Sequence, residues 1–221
     1  MGPILVCNKA YLFAVLATLA LSTTVQAGNL DAIVALDDGT PVQDAVISVR
    51  AKSQDSAMAA TSTRATMLQQ GQRFRPFILP IQVGTTVEFP NRDPFRHHVY
   101  SFAKAKTFEL KLYDSSEAET MIFDREGIIP LGCNIHDNML SYIYVVGTPH
   151  FAQTDENGKS VIEALPAGEY TVEAWHPNQK SDVTTTDITV TADNNSRVTF
   201  EMDLKRSRQQ RKPGAFDEIE Y

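Results

Sequence analysis

Short apolar or alternating runs, each bounded by Gly, Pro, Asn or Asp, recur along almost the whole chain and limit what it can fold into. They fall at residues 30–36, 45–49, 77–83, 86–89, 98–102, 107–112, 119–123, 140–146, 170–175, 188–191 and 197–202. Runs of this length, punctuated by turn residues, predict an all-β chain of antiparallel sandwiches or barrels. No segment carries a long, capped helical period. The stretch 53–64, rich in Ser, Ala and Thr, is predicted to be a linker between folded parts.

The ends differ from the middle. Lys9, an apolar run at 10–21 and small residues at Val25 and Ala27 form a secretory signal peptide over residues 1–27, cut after Ala27. The run is too short for a bilayer span, which needs about 20 apolar residues. The expectation is an exported, periplasmic protein with no stable membrane insertion. Cys7 leaves with the signal and lacks the small-residue context of a lipidation site. Residues 205–221 carry five basic residues from Lys205 to Lys212 and then Asp217, Glu218 and Glu220, with too little apolar content to fold, so a disordered tail is expected. The formal charge of −7 excludes general nucleic-acid binding, which needs a basic surface.

Removing the signal leaves one cysteine, Cys133, in a compartment where an unpaired thiol is a liability. It is buried and inert, paired with another molecule, or a thiolate acting as ligand or nucleophile. Its surroundings bear on the choice. Between the strand-like segments that flank it, Cys133-Asn-Ile-His136-Asp-Asn-Met139 forms a tight loop, and His97-His98 begins a strand 36 positions upstream of the cysteine. One thiolate, two imidazoles and one thioether are the ligand set of a blue-copper site. Soft sulfur suits Cu(I) and imidazole suits both oxidation states, so such a set supports one-electron cycling. Zinc is the weaker reading, because a structural zinc site takes four strong ligands and Met is not one. A Cys-His nucleophile is weaker still, since no orienting or oxyanion-stabilising residue stands beside the pair.

Two pieces of the text resemble the cupredoxins. Phe95-Arg-His97-His98-Val99, after the Asn91 turn, is similar to the family's His-Asn-Val strand start, and Cys133-x-x-His136-x-x-Met139 has the ligand-loop spacing of amicyanin. The resemblance implies a Greek-key sandwich holding one type 1 copper ion through His97, Cys133, His136 and Met139. It also implies that Asn91 supports the cysteine loop by hydrogen bonding. His98 stands where the family carries Asn. Adjacent strand residues face opposite ways, so only one of the two histidines can face Cys133; the resemblance assigns His97. The phrase Leu-Gly-Cys-Asn-Ile-His-Asp also resembles exported proteins labelled methylamine utilization protein, a label that does not make methylamine a substrate.

Flanking text resembles a second family. Thr154-Asp155-Glu-Asn-Gly158 and Leu165-Pro-Ala-Gly168-Glu-Tyr170 are similar to the second half of the prealbumin-like carboxypeptidase regulatory module. Its first half is matched by Gly39-Thr-Pro41-Val42-Gln-Asp-Ala45-Val46. The expected layout is a discontinuous prealbumin-like sandwich from residues 28–52 and 149–204, with a copper-binding domain at 65–148 inserted into it. The competing layout gives the first strands to the cupredoxin. This fold is shared with carbohydrate-binding sandwiches, although no cluster of aromatics in the module supports sugar binding. His150 and His176, outside the ligand set, are expected at the surface or in turns, and Trp175 in a core.

The function expected from the site is single-electron transfer between redox partners, a c-type cytochrome or a periplasmic dehydrogenase, with no substrate chemistry and hence no enzyme. His136 would be the port for electrons, with Pro94, Phe95 and Met139 as the docking patch. The alternative is a copper-storage or envelope structural protein in which electron transfer plays no part. A multicopper oxidase is excluded by the want of further Cys-His clusters.

Overall fold

The computed structural model describes residues 27–53, 63–116, 118–191 and 195–205. Seventeen strands and no helix occur among these residues, the all-β fold that the turn-punctuated runs require. The expected signal peptide up to residue 26, most of the linker and most of the tail lie outside the described residues, and Ala27, the signal's expected last residue, opens the first strand. The linker's last expected residue, Arg64, instead opens a short strand, Arg64–Thr66.

Residues before 52 and after 150 build two facing sheets. One has the order Lys159–Pro166, Ala27–Ala35, Ser196–Glu201; the other runs Phe151–Gln153, Val46–Ala51, Gly168–Trp175, Thr184–Val190. Strand Ala27–Ala35 shows why: Leu30, Ala32 and Val34 are buried while the residues between them are only partly so, the period-two pattern of a strand with one face on a core. They meet Ile47, Val49, Val172 and Phe200 from the other strands.

The two motif halves from opposite ends of the sequence are bonded to each other. Thr154 Oγ1 donates to Val42 O at 2.7 Å and accepts from Ala45 N at 2.9 Å. Asp155 Oδ1 accepts from Asn157 N at 2.9 Å and Lys159 N at 2.8 Å, closing the turn. Gly158 sits at φ 70°, and a Cβ there would lie 2.3 Å from Val34 O, so the position admits only glycine. Tyr170 Oη donates to Pro166 O at 2.8 Å and pins the start of its strand.

Residues 64–146 form a second pair of sheets. Three strands, Ala118–Phe123, Thr85–Pro90 and Arg64–Thr66, face five, in the order Ile78–Gln82, Leu140–Val146, Gly127–Cys133, His97–Phe102, Thr107–Tyr113. Val87, Phe89, Phe123, Val99, Leu131 and Ile143 fill the space between them. The sheets are not purely antiparallel as expected. Ala27–Ala35 with Ser196–Glu201, Arg64–Thr66 with Thr85–Pro90, and Ile78–Gln82 with Leu140–Val146 pair in parallel. Parallel neighbours need long crossover connections, which local turn signals do not reveal.

A third apolar cluster, Val46, Ile78, Tyr144, Val146 and Trp175, joins the two pairs of sheets. The Trp175 ring is 4.9 Å from that of Tyr144 and 5.9 Å from that of Tyr142, so the tryptophan is buried at this seam.

Candidate metal centre

His97 opens one strand of the five-stranded sheet, and Cys133 closes the strand beside it. Antiparallel pairing sets Cys133 opposite Val99. Side chains two apart on a strand share a face, so His97 lies on the cysteine's side, its Nδ1 3.8 Å from Cys133 Sγ. His98 turns the other way. Its Nε2 is 2.7 Å from Glu109 Oε1, and its ring neighbours Tyr100 on the outer face of the sheet.

The chain then bends. Asn134 N donates to His98 O at 3.2 Å, and Met139 N donates to His136 O at 3.0 Å. The bend carries His136 Nδ1 to 3.8 Å from the same sulfur. The three ligand atoms lie within 4.8 Å of one another, with His97 and Cys133 buried and His136 partly open to solvent. Met139, 2% exposed, packs in the same apolar cluster as Cys133. Phe95 covers the pair of imidazoles, its ring 5.3 Å from His97 and 5.4 Å from His136.

The spacing fits a shared ion. Donors about 2.0 Å (nitrogen) and 2.3 Å (sulfur) from a metal, separated by about 120°, stand roughly 3.8 Å apart. Among the described residues no further His, Cys, Asp or Glu joins the group. Four strong zinc ligands are therefore not assembled. A thiolate with two imidazoles and an apolar surround is the soft, water-poor donor set that suits copper. At 4% exposure, Cys133 offers no approach for a substrate, which argues against a nucleophile.

Sequence reasoning missed Asp93. Its Oδ2 is 2.8 Å from His97 Nε2, its Oδ1 accepts from Gly71 N at 2.6 Å, and Oδ2 also accepts from Gln72 N at 3.0 Å. Burial by itself raises this carboxyl, but the bonds from Gln72, Gly71 and His97 outweigh it and hold Asp93 below the usual carboxylate range. The spacing Asp93-x-x-x-His97, a carboxylate just ahead of a ligand histidine, was the available signal.

Two expectations need correction here. Asn91 does not brace the cysteine loop: its Nδ2 donates to Phe95 O at 2.8 Å and Tyr113 O at 3.3 Å, and its Oδ1 accepts from Asp93 N at 2.9 Å. It thus shapes the loop that carries His97. Met139 is not part of a docking patch, because it is buried; the exposed apolar residues beside His136 are Phe95, in ring contact with it, and its chain neighbour Ile135. Outside the site, His176 occupies a turn as expected but is buried rather than at the surface.

Comparison with known proteins adds likeness at both ends of this architecture. Residues 142–203 match the carboxypeptidase regulatory-like domain. The match starts inside strand Leu140–Val146, which belongs to the sheet that carries His97 and Cys133, and does not reach back to the first strands. Among solved structures, a purple cupredoxin from Nitrosopumilus maritimus is 22% identical, over 37% of this chain and 99% of that one, with a TM-score of 0.34. A copper-containing nitrite reductase from Thermus scotoductus is 27% identical, over 44% of this chain and 25% of that one, with a TM-score of 0.36. A reduced amicyanin variant is 20% identical, over 45% of this chain and 98% of that one, with a TM-score of 0.35. No curated protein matches the chain.

Proposed function

We propose that this chain is an exported type 1 copper protein that carries single electrons between redox partners in the periplasm. His97, Cys133 and His136 would hold one ion, with Met139 as the weaker fourth ligand. The observation that carries the proposal is the meeting of two Nδ1 atoms and one Sγ within 4.8 Å, at the ends of two paired strands and the bend that follows Cys133. Copper bound there supplies a one-electron couple between Cu(I) and Cu(II).

The chain's own residues do the rest. Cys133 and His97 are buried, which keeps water and thiol oxidants from the sulfur. His136, partly open to solvent, lies beside the exposed Phe95 and Ile135, and this edge would meet a c-type cytochrome or a periplasmic dehydrogenase in a small, transient contact. No substrate chemistry is assigned to the site.

The layout in this proposal is a copper-binding domain, residues 65–148, inserted into a regulatory-like sandwich. The pairing of Val46–Ala51 with Gly168–Trp175 supports it. Insertion at a surface loop is tolerated when the insert's ends lie together.

Metal analysis and a visible spectrum of the oxidised protein test the reading. One copper per chain, an intense thiolate-to-copper absorption and a reversible potential are expected. A colourless copper adduct without a reversible potential would favour storage instead.

A further inference from the structure

The hairpin just upstream of the site has a backbone that its own sequence does not explain. Leu68–Gln69 and Phe74–Arg75 pair around the turn 70–73, in which Gln70 N donates to Arg73 O at 3.0 Å. Both central residues are left-handed, Gly71 at φ 64° and Gln72 at φ 53°. This is the primed turn of a tight hairpin. Glycine takes it freely, whereas a residue with a side chain does so only under strain.

The turn aims both central N–H groups at one carboxylate. Asp93 accepts from Gly71 and Gln72, and the same Oδ2 that meets Gln72 faces Nε2 of His97. Backbone amides already donate to both oxygens of Asp93, so the carboxylate acts as the acceptor toward His97 and the hydrogen between them belongs to the imidazole. We infer that Asp93, gripped by the backbone of the 70–73 turn, is a positioning residue that keeps the His97 proton on Nε2 and leaves Nδ1 bare toward Cys133. The left-handed Gln72 is then accounted for: the hairpin orients the aspartate, and the aspartate orients the histidine. No feature of the core needs a carboxylate here, because a neutral side chain could cap the same two amides. Only an acceptor with no donor of its own serves the amides and the ring together.

The tautomer is inferred from these hydrogen bonds; its consequence for metal affinity rests on the copper reading above. In Asp93→Ala, Nε2 of His97 loses the acceptor that it faces. Nothing then holds the proton on Nε2, and Nδ1, the position that must be bare to bind a metal, takes a share of it. An aspartate beside a catalytic histidine fixes the tautomer in the same way.

The test is a proton–nitrogen correlation spectrum of the full, metal-free, reduced protein, read at the His97 ring. The expected result is the Nε2–H tautomer in the parent and a mixture of the two tautomers in Asp93→Ala. Cu(II) affinity should fall about 10–100-fold in the variant, as for other partners of ligand histidines. A parent His97 protonated on Nδ1 would overturn the inference without need of any variant, and so would a folded Asp93→Ala protein that keeps the Nε2–H tautomer alone. A parent that shows the Nε2–H tautomer but takes up no copper would sink the proposed function and leave the role of Asp93 standing.

Discussion

Cys133 and His97 meet because their strands are neighbours in an antiparallel pair and their register is diagonal. Cys133 stands opposite Val99, two residues beyond His97, and the Sγ–Nδ1 separation is 3.8 Å. Shifting the His97 strand by one residue would put His98 in the site and His97 on the outer face, and shifting the Cys133 strand would turn the sulfur outward. The residues buried beneath the pair, Val99 and Leu131, resist that slip, since it would turn them into water.

Replacing Cys133 with Ser removes the thiolate, the one donor that selects a soft metal. The visible absorption should vanish and copper affinity should drop more than about 100-fold, since changes to partners outside the ligand set already cost 10–100-fold. Retention of the colour in a titration of the variant would contradict the ligand assignment.

Replacing Met139 with Leu preserves volume at a buried site, so stability should change by less than about 1.5 kcal/mol. The colour should persist, and the reduction potential should rise as the weak thioether ligand is lost. Voltammetry checks the direction; a fall in potential would remove Met139 from the ligand set.

How far these features were legible in the sequence depends on how local their causes are. Strands with clean alternation, such as Thr85–Pro90, and the Cys133–Met139 loop could be read because neighbouring letters set them. The strand Lys159–Pro166 escaped notice because it follows the Gly158 turn without a break and ends in proline. Leu68–Gln69 and Phe74–Arg75 are too short to show a period. Asp93 is held by amides 21 and 22 positions away, a relation no local pattern carries. His176 lies beside Pro177 and Asn178, letters that predict an open turn. Yet that turn folds against the end of the described chain, with Lys180 N bonded to Asp203 O and Lys205 N to Asn178 O.

His98 faces Glu109 on the outer surface of the sheet, away from the sulfur. His98→Asn should therefore leave copper stoichiometry and the visible spectrum unchanged. Stability should shift by about 1 kcal/mol, the net worth of one hydrogen bond. Loss of copper in this variant would transfer the ligand role from His97 to His98.

Burial lowers the His176 pKa to about 4, from the ordinary value of 6.5. A histidine protonated more easily when unfolded stabilises the fold fully above pH 6.5, and that contribution is lost as pH falls toward 4. The loss is at most about 3 kcal/mol, taking 1.36 kcal/mol per unit. Urea midpoints should fall between pH 7 and pH 4.5 (roughly the window set by these values), and His176→Gln should flatten part of the slope. An identical slope in the variant would assign the pH dependence to other groups.

Trp175 links the two sandwiches through Tyr142 and Tyr144, on the face of the five-stranded sheet that looks away from Cys133. Trp175→Ala should cost about 3–5 kcal/mol, the range for removing a buried aromatic. The damage is confined to the seam, because the cluster around Cys133 and Met139 is separate from it. Copper-bound protein should therefore keep its visible spectrum at room temperature. On heating, unfolding followed by that absorption should part from unfolding followed by far-ultraviolet circular dichroism, as one cooperative transition becomes two. Coincident transitions in the variant would mean that the sandwiches share more than this seam, and loss of the spectrum before unfolding would mean that Trp175 supports the metal loop directly.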